Sequence, residues 1–164
     1  MKTTLITGGL GFIGSNICDS LLQKKYTNKC ILLDNFGGYM NPIKDSFIDF
    51  RKQRFPSLKN IIIERCDTSN YKALSSILNK YKPNYIYHTA ALPLAKVSNL
   101  NNEEAKISSV DSTVNIIDAI NLLKNSNQKY QFDRFIYFSS SMVYGDFKKP
   151  TVTEESEKNP KDAY

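Results

Sequence analysis

Thr3-Thr4-Leu5-Ile6-Thr7-Gly8-Gly9-Leu10-Gly11-Phe12-Ile13-Gly14-Ser15 is the stretch on which the rest of the chain depends. A short β-branched run passes into a glycine-dense turn, and the turn opens onto an apolar pattern of helical period. Strand, turn and helix in that order make a dinucleotide-binding unit. Two spacings overlap: Gly9, Gly11 and Gly14 fit G-x-G-x-x-G, while Gly8, Gly11 and Gly14 fit G-x-x-G-x-x-G. In both, one glycine turns the backbone sharply out of the strand. Gly11 lets a pyrophosphate come close to the backbone, and Gly14 lets the helix pack on the sheet. The helix N-terminus then presents unpaired N–H groups and partial positive charge to the phosphates. The alternative is a glycine-rich turn with no ligand; the strand before it and the helix after it favour binding.

The chain has 164 residues and is 41% hydrophobic, enough for one domain with a proper core. No apolar run approaches membrane-spanning length, so no membrane contact is expected. Met1-Lys2 leads straight into the first strand without a cleavable signal pattern, which makes the cytoplasm the expected compartment. The net charge of +6 comes from scattered lysines rather than a basic stripe interleaved with aromatics. That excludes a nucleic-acid partner of the usual kind and suits an anionic ligand. Cys18, Cys30 and Cys66 have no metal-ligand spacing and read as reduced, mostly buried thiols; with one histidine, no metal site is expected.

Outward from the opening stretch, a first helix runs from about Gly11 to Lys25, with Ile13, Ile17 and Leu21 on one face. Cys30-Ile31-Leu32-Leu33 is a continuous apolar run, as a strand covered on both faces should be. It ends in Asp34-Asn35. An acid there can accept hydrogen bonds from both hydroxyls of the adenosine ribose and repel a 2′-phosphate, which favours NAD over NADP. Asn41-Pro42 predicts a capped helix with Ile43, Phe47 and Phe50 inside, ended by Phe55-Pro56-Ser57. Ile61-Ile62-Ile63 is the third strand and Tyr85-Ile86-Tyr87 the fourth. Between them lies a helix carrying Leu74, Ile77, Leu78 and Tyr81. A long loop, Leu92 to Leu100, follows. The next helix sets Val110, Val114, Ile117, Ile120 and Leu123 on one stripe, with Glu103 and Glu104 favouring its N-terminus. Phe135-Ile136-Tyr137-Phe138 is the fifth strand, and the polar stretch from Asp146 reads as loop. The expected fold is α/β: a doubly wound, Rossmann-type parallel sheet of five strands, order 3-2-1-4-5, in three αβα layers.

The string Thr7 to Ser15 resembles the opening of the extended short-chain dehydrogenases/reductases, specifically the NAD-dependent nucleotide-sugar epimerase/dehydratase group. His88-Thr89-Ala90-Ala91 resembles its H-x-A-A motif. Ser109 to Asn115 resembles N-V-x-G-T-x-N, with Ser109 in place of the usual Asn and Ser112 in place of the usual Gly. Ser139-Ser140-Ser141-Met142-Val143-Tyr144-Gly145 resembles S-S-S-x-V-Y-G. The resemblance covers essentially the whole chain, and it implies a candidate cofactor-binding set of Gly8, Gly11, Phe12, Ile13, Gly14, Asp34, Asn35, Asp67, Thr68, Ala90, Ala91 and Ser139. An acid at Asp67 would meet the adenine amino group, unless it merely starts the following helix. His88 is expected to be structural. Ser140 falls at the catalytic Ser/Thr position. Tyr164 matches the tyrosine of Y-x-x-x-K, whose Lys lies beyond the sequence.

The resemblance further implies the cofactor half of an enzyme: residues 1–164 as an NAD-binding domain whose C-terminal substrate lobe is not in the sequence. The substrate would be a nucleotide-sugar, UDP-linked, and the longer form a homodimer. In the family the tyrosine takes a proton from a sugar hydroxyl while hydride passes to NAD, giving a 4-keto sugar that a 4-epimerase reduces from the other face. The sugar dehydratases carry an Asp-Glu pair where this chain has Ser141-Met142, so epimerisation is favoured over water elimination. A free tyrosine has a pKa of about 10 and needs the missing Lys to ionise near neutrality. These residues alone are therefore expected to be inactive. Two other readings stand beside this one: an NAD(P)-dependent reductase or dehydrogenase on the same scaffold, and a non-catalytic nucleotide-binding module.

Overall fold

The computed structural model describes residues 2–37, 53, 55, 58–92 and 101–161. Strand β1 (Thr3–Thr7) leads through the glycine turn into helix α1 (Phe12–Gln23), then β2 (Lys29–Asp34) and β3 (Ile61–Arg65). Helix α2 (Tyr71–Tyr81), β4 (Tyr85–His88), a short α3 (Asn102–Ala105), α4 (Ser112–Ser126) and β5 (Arg134–Tyr137) follow. A single 3₁₀ turn, Ser141–Tyr144, comes after β5. Most of the helix predicted from Asn41-Pro42 to Phe55-Pro56-Ser57, most of the loop from Leu92 to Leu100, and Tyr164 lie outside the described residues.

All four strand pairings are parallel, and the order is β3-β2-β1-β4-β5, the expected one. The register puts Thr7 level with Leu33 on one side and His88 on the other. Gly8, Asp34 and Thr89 therefore stand level at the C-terminal edge of the sheet. They do so around the end of β1, where the strand order reverses, which is where a parallel sheet opens a ligand crevice.

Adjacent residues of the central strands serve opposite faces. Leu5, Ile31, Leu33 and Ile86 pack with Leu74 and Leu78 of α2 and Ile116, Ile120 and Leu123 of α4. Ile6, Leu32 and Cys30 pack with Leu10, Cys18 and Phe55. That is why the strands read as unbroken apolar runs. Each fully buried Leu or Ile contributes about 1.5–3 kcal/mol.

Helix ends follow local chemistry. Asn70 caps α2 by accepting from the Ala73 N–H at 3.1 Å, and Lys82 closes it in the left-handed region. Asn101 caps α3 through the Glu104 N–H at 3.0 Å, with Glu103 and Glu104 in the first turn. Between α3 and α4 the backbone widens into a π turn, Lys106–Asp111.

Two helix faces differ from expectation. In α1 the buried residues are Gly14, Ser15 and Cys18; Ile13 is 52% exposed, because the glycine-to-turn approach rotates the helix onto its small residues. In α4 the buried face is Ile116, Ala119, Ile120 and Leu123, whereas Val110, Val114 and Ile117 are exposed. Helical phase accounts for this: within Ser112–Ser126 the buried residues follow i, i+4, i+7, i+8 and i+11 from Ser112, which leaves Val114 and Ile117 on the opposite face, and Val110 lies before the helix in the π turn.

Candidate functional site

The cleft over the C-terminal edge of the sheet encloses about 280 Å³. Gly8, Gly11, Leu33, Asp34, Asn35, Gly37, Cys66, Asp67, Thr68, Thr89, Ala90, Ala91 and Ser108 line it. It gathers residues from the ends of β1, β2, β3 and β4 and one from the π turn. Eight members of the sequence-derived set meet here: Gly8, Gly11, Asp34, Asn35, Asp67, Thr68, Ala90 and Ala91.

The phosphate side is backbone. Gly8 adopts φ +63°, the left-handed region, and a side chain there would stand 3.0 Å from the Ala90 nitrogen. At Gly14 a Cβ would fall onto the Gly8 carbonyl oxygen, so the helix can approach the turn only without a side chain. Gly11 is the N-cap of α1 and no side chain caps that end. The first N–H groups of α1 and its dipole are thus left facing the turn, a fit for a pyrophosphate. Phe12, Ile13 and Gly14 belong to this first turn but do not line the cleft. Phe12 is 77% exposed and, with Ile13, Ile17, Leu21 and Phe138, walls a separate apolar trough.

The opposite side is acidic. Asp34 is 8% exposed; its Oδ2 accepts from the Leu10 N–H at 3.0 Å and its Oδ1 from the Phe36 N–H at 2.9 Å. One carboxylate thus ties the glycine turn to the end of β2. Each oxygen keeps lone-pair capacity for a further donor. Asp67 accepts from Asn35 Nδ2 at 3.0 Å and from the Ser69 N–H and hydroxyl at 2.9 and 2.7 Å. Burial opposes its ionisation, but these hydrogen bonds outweigh it and hold the carboxyl below the ordinary aspartate value. It does not cap α2; Asn70 does. Next to it, burial pushes the Cys66 thiol up to about 11, so it stays un-ionised.

Ser139 and Ser140 lie at the end of β5 and do not line the cleft. The Ser140 hydroxyl accepts from the Met142 N–H at 3.2 Å and caps the 3₁₀ turn. Gly145 stands at φ +64°, and a Cβ there would fall onto the Asn159 carbonyl oxygen. The polar segment after it folds back, with the Asn159 N–H donating to the Val143 carbonyl at 2.9 Å.

Sequence reasoning assigned no contact to Asn115. Its Nδ2 donates to the carbonyls of Thr68 and Ser69 at 3.1 and 2.9 Å and fixes the loop that carries Asp67. The available signal was an amide in the middle of an amphipathic helix. His88, read as structural, is 2% exposed between the rings of Phe135 and Tyr137, and burial lowers its pKa to about 4. Among the described residues, no helix is long and apolar enough to cross a membrane.

Residues 5–164 match the family described as GDP-mannose 4,6-dehydratase. A UDP-glucose 4-epimerase of Caenorhabditis elegans is 30% identical over 93% of this chain and 42% of its own length. The chain thus spans less than half the length of that relative. Among solved structures, a UDP-glucose 4-epimerase from Stenotrophomonas maltophila, with bound NAD and formylated UDP-arabinopyranose, superposes with a TM-score of 0.80 at 18% identity. That match covers all of this chain and 44% of the other. A UDP-N-acetylglucosamine 4-epimerase from Methanobrevibacter ruminantium in complex with UDP-N-acetylmuramic acid gives 0.74 at 26% identity, over 99% of this chain and 46% of the other.

Proposed function

The chain belongs to the GDP-mannose 4,6-dehydratase family, within the NAD-dependent epimerases and dehydratases, and from that premise we propose that residues 1–164 are the NAD-binding domain of a nucleotide-sugar 4-epimerase. The observation that carries this is the pairing, across one cleft, of an uncapped helix N-terminus at Gly11 with the buried Asp34 carboxylate. The first is matched to a pyrophosphate, the second to a ribose diol.

In this reading Gly8, Gly11 and the N–H groups of Phe12 and Ile13 hold the pyrophosphate. Asp34, with Asn35, accepts from the adenosine ribose, and its charge turns away a 2′-phosphate. Asp67 and Thr68 face the adenine, and Ala90, Ala91 and Ser139 follow the dinucleotide along the sheet edge. When bound, NAD supplies a reversible hydride acceptor for the sugar. Ser140 would hydrogen-bond the reacting sugar hydroxyl and hold it in place, and Tyr164 would take the proton which that hydroxyl loses. The sugar passes through a 4-keto form. Ser141-Met142 offer no carboxyl acid or base for water elimination, which favours epimerisation within a family that includes dehydratases.

The substrate is a UDP-linked sugar, as in the relatives named above, and its binding lobe belongs to sequence outside these 164 residues. The exposed stripe of Val110, Val114 and Ile117 suits a homodimer of the longer form, and the cytoplasm is the proposed compartment. Alone, these 164 residues bind cofactor without turnover.

Calorimetric titration with NAD, and NADP as control, tests the reading. Saturable binding with NAD preferred supports it; no binding by a folded chain, or a preference for NADP, overturns it. Turnover of a UDP-sugar by the 164-residue chain would contradict the assignment of inactivity.

A further inference from the structure

His88 is the chain's only histidine, and both of its ring nitrogens have buried partners. Nδ1 lies 2.6 Å from the Thr7 hydroxyl oxygen, and Nε2 lies 3.4 Å from that of Ser112. Thr7 and Ser112 are fully buried. The direction of each bond follows from what lies beyond it. The Ala90 N–H, which can only donate, gives its hydrogen to Thr7 Oγ1 at 3.2 Å. The single Thr7 hydroxyl hydrogen is then free to go to His88 Nδ1, an arrangement that places the imidazole proton on Nε2. At the other end the Ser112 hydroxyl donates to the Ser108 carbonyl, which cannot donate back, and its lone pair accepts from Nε2. The Ser112 end selects this tautomer, and the Thr7 end accommodates it.

We infer that Thr7, His88 and Ser112 form a one-way hydrogen-bond relay, from the Ala90 amide to the π turn at Ser108, that positions the wall of the dinucleotide cleft facing Gly8. Both termini of the relay, Ala90 and Ser108, line that cleft. Ala90 stands where a Cβ on Gly8 would meet it, so a small displacement of its backbone narrows or widens the phosphate passage. Thr89 reinforces the same joint, its hydroxyl donating to the Thr7 carbonyl at 2.6 Å. The lower half of the relay depends on Ser112, which stands where the family motif usually has glycine, a residue with no hydroxyl to offer Nε2. Thr7, His88 and Ser112 are positioning residues, not catalytic ones. The inference rests on the NAD reading of the cleft, which it deepens.

The first measurement is the pair of imidazole nitrogen shifts in the NAD-free chain. With one histidine the assignment is unambiguous. A protonated Nε2 and a bare Nδ1 are expected; a proton on Nδ1 overturns the relay. The second compares NAD affinity in Thr7→Ser and Thr7→Val. Serine keeps the hydroxyl and loses a methyl, whereas valine keeps the shape and loses the hydroxyl. The relay predicts affinity within about twofold for serine and a loss of about tenfold for valine, the scale of one buried hydrogen bond. The reverse order, which simple packing predicts, overturns it. Should Thr7→Val fail to fold, Ser112→Ala decides: exchange of the Ala90 amide quickens about threefold or more if the relay holds, and an unchanged rate overturns it. If the unaltered chain binds no NAD, the cofactor reading fails, and the relay is judged on the tautomer and Ala90 exchange in the free chain.

Discussion

At Asp34 one carboxylate joins two structural N–H groups to the proposed ribose site. Asp34→Asn keeps one acceptor oxygen and removes the charge. It should weaken NAD binding by roughly tenfold, the worth of a charge-assisted hydrogen bond, while binding of NADP stays level or improves. Paired titrations would show this, and an unchanged NAD-to-NADP ratio would contradict the ribose role. Gly14→Ala places a Cβ against the Gly8 carbonyl. A cost of about 1–3 kcal/mol in a urea midpoint is expected from such overpacking. His88 sets a pH dependence. Its pKa falls from 6.5 to about 4 on folding, because burial penalises the imidazolium. Between these values the unfolded chain binds a proton that the folded chain does not. Stability from this group is therefore complete above pH 6.5 and declines as the pH drops toward 4, by about 3 kcal/mol in all. A histidine titration midpoint near 6.5 in the folded chain would contradict this.

The elements that position the cleft were legible because their signals are local and strong. β-Branched and apolar runs gave β1 and β2, and the pattern Leu74, Ile77, Leu78, Tyr81 gave α2. What was not legible depended on three-dimensional phase. The stripe Val110, Val114, Ile117, Ile120, Leu123 advances mostly by three residues and so drifts around the helix: Ile120 and Leu123 reach the buried face, whereas Val110, Val114 and Ile117 stay exposed. Nor could spacing show that Asn115 reaches across to the Thr68 and Ser69 carbonyls. Asn115→Ala should free the loop bearing Asp67, seen as faster amide exchange at Ser69, with α2 intact because Asn70 still caps it. In the segment after β5, Gly145→Ala is blocked both by its left-handed φ and by the Asn159 carbonyl. Residues 146–159 should then detach and become cut by protease, while the sheet stays folded. Resistance equal to that of the unaltered chain would sink the idea that Gly145 holds this return.

For the whole molecule, the parallel order β3-β2-β1-β4-β5 determines where chemistry can occur, since only at β1 do the connections depart to both sides. The family match and the TM-score of 0.80 agree with that architecture. A further trough of about 210 Å³, walled by Tyr144, Asp146, Phe147, Lys148, Val152 and Glu157 among others, lies on the segment after β5 and offers a competing place for a ligand. The most direct test is an amide chemical-shift map of the 164-residue chain titrated with NAD. Shifts at Gly8, Gly11, Asp34, Asp67 and Ala90, saturating together, are the predicted result. Shifts confined to the Tyr144–Asn159 trough, or none at all in a folded chain, would contradict the account.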